Sequence, residues 1–504
     1  MEEKIRIFHS SLHKLLILLF LLTACTSLGP STPNANRPTI TPDQNTSPSK
    51  TPFSPPADTP SITPTIPSAP TSTQPHAPDF TRSRYTLNAR LDYDAHFLTV
   101  DESIHYQNAT GETLTALVLA VETNLWADCF TLNRLTINSL TATGLSLHGD
   151  RLDVPLAEPL VPGGILNLSL VFDLQLPAVD VHHVFGYNNR QTNLVDWYPF
   201  LVPYSGGWLL HPPAELGEHL TYEAAVFDVT LTLADPVMPV TLAASAPAEA
   251  VAESWHYFLQ NARTFVFSAS SAYRSISYTI EGVTVTSYYF SEEEAQARAV
   301  LDQAVKALTT FGTLFGAYPY PSLSIVESPF YDGMEYDGLL FLSHEFYLGY
   351  DGTMLNYLID IAVHETAHQW WFGLVGNDQA LAPWLDEALA TYSEKLFYEK
   401  NHPDVTKWWD FRVNAYVPTG WVDSDIYHGG DFRSYTNSVY LRGAQFLEAL
   451  RSRIGEEAFF AFLKDYAAQM AGKRATADDF FRILRIHTSA DISDLISGYF
   501  QFPH

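Results

Sequence analysis

At 504 residues the chain is too long for one ordinary core, and its 46% hydrophobic and 13% aromatic content is enough to fill two. Its 28 Lys plus Arg against 56 Asp plus Glu leave a formal charge of -28, a field that repels phosphate backbones and excludes nucleic acid as a partner. Only Cys25 and Cys129 are present, which excludes a disulfide framework and makes Cys129 a small buried apolar residue.

In chain order, Lys4, Arg6 and Lys14 precede the apolar run 15–22, and small residues follow. That pattern over residues 1–24 is an export signal, and eight apolar residues are too few to span a bilayer. Leu22-Thr23-Ala24-Cys25 resembles a bacterial lipobox, which implies lipidation of Cys25 and a mature chain anchored outside the cytoplasm on the cell membrane. Residues 25–79 are rich in Pro, Ser and Thr, with too little apolar area to offset chain entropy, and are expected to form a disordered stalk.

Over residues 80–274 the pattern turns to short β-rich runs, such as Leu98-Thr99-Val100 and Leu135-Thr136-Ile137. Turn signals separate them at Asn108-Ala109-Thr110-Gly111, Gly149-Asp150 and Pro162-Gly163-Gly164, which argues for an antiparallel β-sandwich. Its aromatic stretch Asn193-Leu194-Val195-Asp196-Trp197-Tyr198-Pro199 is expected to pack in the core. Residues 275–504 read as an α/β domain. A strand over 283–289 leads to a helix capped by Ser291; then come a strand at 323–326, a loop at 331–338 and a strand at 339–342. From Met354 the chain is largely helical, with an interruption at 416–433.

Residues 355–371 read as one helix containing His364-Glu365-Thr366-Ala367-His368. Histidines four apart share a helical face and present two imidazole nitrogens to one metal, while the adjacent Glu365 is placed to act as general base on water. A catalytic zinc needs a third protein ligand and an open position. A second helix opening at Asp386 offers Glu387, with eighteen residues between it and His368. Asp386 is either a residue that orients a ligand imidazole or an exposed acid at the helix start.

The segment from His364-Glu-Thr-Ala-His-Gln-Trp-Trp to Trp384-Leu-Asp-Glu-Ala-Leu-Ala-Thr-Tyr resembles the aminopeptidase N family of zinc metallopeptidases. So do Asp332-Gly333-Met334-Glu335-Tyr336, at the place of a Gly-Ala-Met-Glu-Asn loop, and Tyr440-Leu441-Arg442-Gly443-Ala444. The resemblance implies a thermolysin-like catalytic domain of the gluzincin type after the β-sandwich, here in a lipoprotein form that stops short of the family's large helical domain. It implies one zinc per chain on His364, His368 and Glu387, Glu365 as base and Tyr440 as oxyanion donor. It also implies Glu335 as receptor for the substrate ammonium group, and Gly333 and Met334 along the peptide backbone; Tyr336 replaces the usual Asn. The expected function is removal of N-terminal residues from peptides with a free amino end. An endopeptidase with the same metal site and a catalytically silent peptide-binding lipoprotein are the alternatives.

Overall fold

The computed structural model describes residues 82–503. The expected signal, Cys25 and the stalk lie outside the described residues. Among those described, no helix is long and apolar enough to cross a membrane.

The β-rich half is built on an eight-stranded sheet whose centre runs Ser254–Ala262, Ala225–Leu233, Arg84–Asp92, Phe97–Gln107, Ile165–Gln175, Phe130–Ile137. Period-two alternation drives it. Tyr85, Leu87, Ala89 and Leu91 turn inward along the first strand, as do Leu98, Val100, Ile104 and Tyr106 along the second. Two four-stranded sheets complete this half, and their buried faces feed the same apolar cluster. The expected antiparallel pairing has one exception: Arg84–Asp92 and Ala225–Leu233 run parallel. A parallel neighbour requires a long crossover, here the residues between those strands, which no local turn signal announces.

The aromatic stretch packs as expected. Trp197 is fully buried and donates its indole N–H to the Phe265 carbonyl at 2.9 Å, and Cys129 is free and buried.

The second half is mixed α/β. Its five-stranded sheet runs Arg274–Ile280, Val283–Tyr289, Ser322–Ser328, Leu339–Ser343, Met334–Tyr336, the middle three being parallel. Two expected boundaries move. The helix after Tyr289 is Glu294–Phe315, starting beyond Ser291 and without a side-chain cap. The segment expected as a loop at 331–338 contains Met334–Tyr336, an edge strand antiparallel to Leu339–Ser343. Three residues carry too little periodicity to be read as a strand; pairing with a buried neighbour makes them one.

The Glu335 strand is held to the β-rich half by a buried polar clamp. Asp337 Oδ2 accepts the backbone N–H of Arg263 at 2.8 Å and of Thr264 at 2.7 Å, and the Thr264 hydroxyl at 2.9 Å. Arg263, 3% exposed, donates to the carbonyls of Phe372, Tyr222 and Lys473, so its buried charge is satisfied from both halves. At Gly376 a side chain would overlap the Arg263 guanidinium, and at Gly338 (φ +69°) it would strike the Ser245 carbonyl.

Candidate active site

The helix Tyr357–Ala367 starts at Asn356, whose side chain accepts the N–H of Leu358, and it ends four residues short of the expected boundary. His368 therefore sits at the helix C-cap, still in right-handed helical geometry, so the two imidazoles keep their common face. The neighbouring helix Trp384–Asn401 carries Glu387 in its first turn.

Three donor atoms converge. His364 Nε2 lies 3.1 Å from His368 Nε2 and 3.2 Å from Glu387 Oε2, and His368 Nε2 is 3.4 Å from the same oxygen. Ligand bonds of about 2.0–2.1 Å at tetrahedral angles span edges of about 3.4 Å, so this triangle fits a zinc ion. The remaining ring nitrogens are committed elsewhere. His364 Nδ1 lies 2.8 Å from Glu394 Oε1, and His368 Nδ1 lies 2.9 Å from the Trp371 carbonyl, which leaves both Nε2 lone pairs facing the triangle. Arg412 in turn grips Glu394 at 2.8 and 3.0 Å.

Glu394 thus takes the orienting role for which Asp386 was one candidate; Asp386 is neither that nor exposed, being buried with its Oδ1 accepting the N–H of Glu387. Glu394 and Arg412 were missed. Glu394 lies seven residues beyond Glu387, two turns along the same helical face, and that spacing was the available signal.

Electrostatics follow burial and pairing. Burial opposes charge on His364, but Glu387 and Glu394 outweigh it and lift its pKa to about 9. Against the same burial, His368 and His364 hold the Glu387 carboxyl far below the usual range. A cation is favoured at this point, and zinc would replace the proton.

Glu365 is 4% exposed, and its Oε2 has no hydrogen-bond partner among the described residues. Burial raises its pKa well above the ordinary carboxylate value, although both histidines partly offset this. Gly333 makes room for it: a Cβ there would overlap Glu365 Oε1 and lie 2.6 Å from Ile361 Cγ2.

Glu335 is 5% exposed, and its Oε1 accepts from Gln379 Nε2 at 3.1 Å. One ligand atom from each of Glu335, Glu365 and His368 falls within a 4.8 Å cluster. Glu335 also lines a cavity of about 170 Å³ with Glu122, Asp196, Glu218 and Met334. Tyr336 packs into the apolar cluster of the β-rich half, its ring edge-on to Phe341.

Tyr440 stacks on His364, with centroids 6.0 Å apart and planes 10° apart. It sits in a π-helical turn, Asn437–Leu441, where one extra residue re-aims the side chains. Burial, then the Glu387 charge, keeps its phenol protonated. Tyr435 is fully buried and meets Tyr440 edge-on.

Residues 299–499 match the model of the peptidase family M1 domain. Aminopeptidase M1-B of Oryza sativa subsp. japonica is 29% identical over 239 residues, covering 44% of this chain and 27% of that protein. Aminopeptidase N of Lactobacillus helveticus is 25% identical over 302 residues, covering 55% of this chain and 36% of its own length. The matched region therefore spans about a third or less of these relatives. An M1 zinc metallopeptidase variant from Deinococcus radiodurans superimposes with a TM-score of 0.63 at 17% identity, over 84% of this chain and 95% of that one. A second structure of that protein, bound to a Tyr-Ser-Ala substrate, gives 0.60 at 17% identity. The described chain has the fold of these two-domain structures, and its helical half carries the ligand set of a zinc metallopeptidase.

Proposed function

We propose that this chain, built on the M1 zinc metallopeptidase fold, is an aminopeptidase that hydrolyses the first peptide bond of substrates with a free amino end. The observation that carries this reading is the placement of Glu335. A buried carboxylate lies beside the metal triangle and lines a cavity with three further carboxylates. An ammonium group is the complement of that cavity. The Tyr-Ser-Ala substrate bound by the Deinococcus protein accords with a peptide substrate.

Zinc held by His364, His368 and Glu387 supplies Lewis acidity and a lowered pKa for water. The chain does the rest. Glu365, with a free Oε2 and a raised pKa, takes a proton from the attacking water and returns it to the leaving amine. Tyr440, protonated and stacked on His364, donates its O–H to the oxyanion of the tetrahedral intermediate. Glu335, fixed by Gln379, receives the ammonium group, and the edge strand Met334–Tyr336 offers backbone groups to the extended substrate.

Glu335→Ala is expected to slow cleavage of free-amine reporters by roughly tenfold to a thousandfold, about 1.4–4 kcal/mol, with zinc content unchanged. Acetylated peptides should be poor substrates for both proteins. Internal cleavage of acetylated peptides at the rate of free ones, unaffected by the substitution, would establish the endopeptidase instead.

We also propose that Cys25 anchors the mature chain by lipid to the outer side of a bacterial membrane, on the strength of Leu22-Thr23-Ala24-Cys25 behind a basic and apolar leader. Cys25→Ala should release the protein from membranes. A lipid-free wild-type chain on mass analysis refutes the anchor.

A further inference from the structure

A second group of metal-ligating side chains lies apart from the first, sharing no residue with it: Glu122, Asp150 and His219. Their positions follow from the fold. Glu122 leaves the end of strand Leu114–Ala120, and Asp150 enters its antiparallel neighbour Arg151–Leu160, with Ala120 paired to Arg151. The Val121 N–H donates to the Asp150 carbonyl at 2.6 Å, which locks the two acids at one end of the ladder. His219 comes from the connection before strand Ala225–Leu233, behind Gly217 and Glu218.

The three side chains converge on one point without well-aimed hydrogen bonds between them. His219 Nε2 lies 3.3 Å from Glu122 Oε2 and 3.7 Å from Asp150 Oδ2. All three atoms are buried and lack a hydrogen-bond partner among the described residues. Asp150 is only 7% exposed, so its orphaned oxygen faces the other two with no solvent to satisfy it. The separations approach the 3.1–3.4 Å of the catalytic triangle, and the atoms fall within 4.8 Å of one another.

We propose that Glu122, Asp150 and His219 bind a second divalent cation, with zinc as the ion their donors suit. One imidazole with two carboxylates is a borderline set that favours zinc over calcium or magnesium. Two carboxylates and a neutral imidazole carry a charge of minus two, which a divalent ion cancels; an imidazolium cancels only half of it. The cation ties the His219 connection to the strand ends. Gly217, Glu218 and His219 line the Glu335 cavity, so the ion fixes one wall of it while Glu218 and Glu335 remain for the substrate amine. Gly217 packs against this wall too closely for a side chain, since a Cβ there would lie 2.8 Å from the Tyr435 hydroxyl and 2.7 Å from Ile426.

The test is metal content of the full-length chain in detergent, loaded with zinc and dialysed against metal-free buffer. It is read by elemental analysis and so is independent of the aminopeptidase reading. Wild type is expected to hold two zinc ions per chain, and His219→Ala one. The pair His364→Ala with His368→Ala is expected to retain one ion, lost when His219→Ala is added. Cobalt(II) bound to that pair should show the visible absorption of a low-coordinate imidazole site. Glu122→Gln and Asp150→Asn keep the shape of the site and should weaken its ion tenfold or more, which decides the matter even where His219→Ala does not fold. In peptide assays Glu122→Gln should raise KM with little change in kcat. One zinc in the wild type, or two in each of the shape-preserving variants, overturns the proposal and leaves His219 as an imidazolium between two acids.

Discussion

Glycine 333 shows how one residue without a side chain sets the chemistry of another. Its loop lies so close to Glu365 that any Cβ would overlap the carboxylate oxygen. Gly333→Ala therefore should displace Glu365 or the edge strand bearing Glu335, lowering kcat by about 10²-fold, as about 1 Å of misplacement does. Zinc content should stay at the wild-type value, because the three ligands lie on the two helices; unchanged turnover in this variant would show that the loop yields freely. Glu394 makes the complementary point. A carboxylate that touches no metal fixes the His364 tautomer; burial opposes its charge most strongly, but Arg412 and His364 together outweigh it and keep the carboxylate ionised.

At the scale of elements, the edge strand Met334–Tyr336 is short and would fray alone. Pairing with Leu339–Ser343 aligns it, and Asp337 ties its end to the β-rich half through Arg263 and Thr264. Asp337→Ala leaves two backbone N–H groups and the Thr264 hydroxyl without their acceptor and removes the nearby negative charge that favours the buried Arg263 guanidinium. A loss of about 3–5 kcal/mol is expected in thermal or denaturant unfolding, together with a raised KM as Glu335 loosens. A stability within about 0.5 kcal/mol of wild type would mean that water replaces the clamp. The π-helical turn at Asn437–Leu441 belongs here too, because it sets Tyr440 on the face that meets His364.

At the scale of the whole molecule, stability rests on two apolar clusters, and the first contains an anomaly. Glu102 points inward from strand Phe97–Gln107, opposite Leu87 and Leu170, with 1% exposure and both oxygens unpartnered among the described residues. Burial raises its pKa well above the ordinary value of 4.5, so the folded state holds a proton that the unfolded chain releases. Its contribution therefore makes the fold lose stability as pH rises from about 4.5 towards the folded pKa. Glu102→Leu should remove that slope and raise the melting temperature at neutral pH, corresponding to about 1–3 kcal/mol. Melting curves from pH 5 to 8 check this, and an identical pH dependence in both proteins would place the titration elsewhere.

The sequence alone determined whatever depends on local spacing. Histidines at i and i+4 share a helical face wherever that helix lies, and Glu387 opens the next helix, so the metal triangle was legible before any fold was known. The alternation in Arg84–Asp92 and Phe97–Gln107 likewise announced strands with one buried face. Tertiary structure alone decided what joins distant segments: the parallel pairing with Ala225–Leu233, the clamp from Arg263 to Asp337, the support of His364 by Glu394 and Arg412, and the meeting of Glu122, Asp150 and His219. Apart from the seven-residue spacing of Glu387 and Glu394 on one helix, none of these contacts leaves a periodic trace. Each depends on side chains tens to hundreds of residues apart being carried to one place by the packing of whole sheets and helices, whereas the HExxH pair is positioned by a single turn of backbone hydrogen bonds.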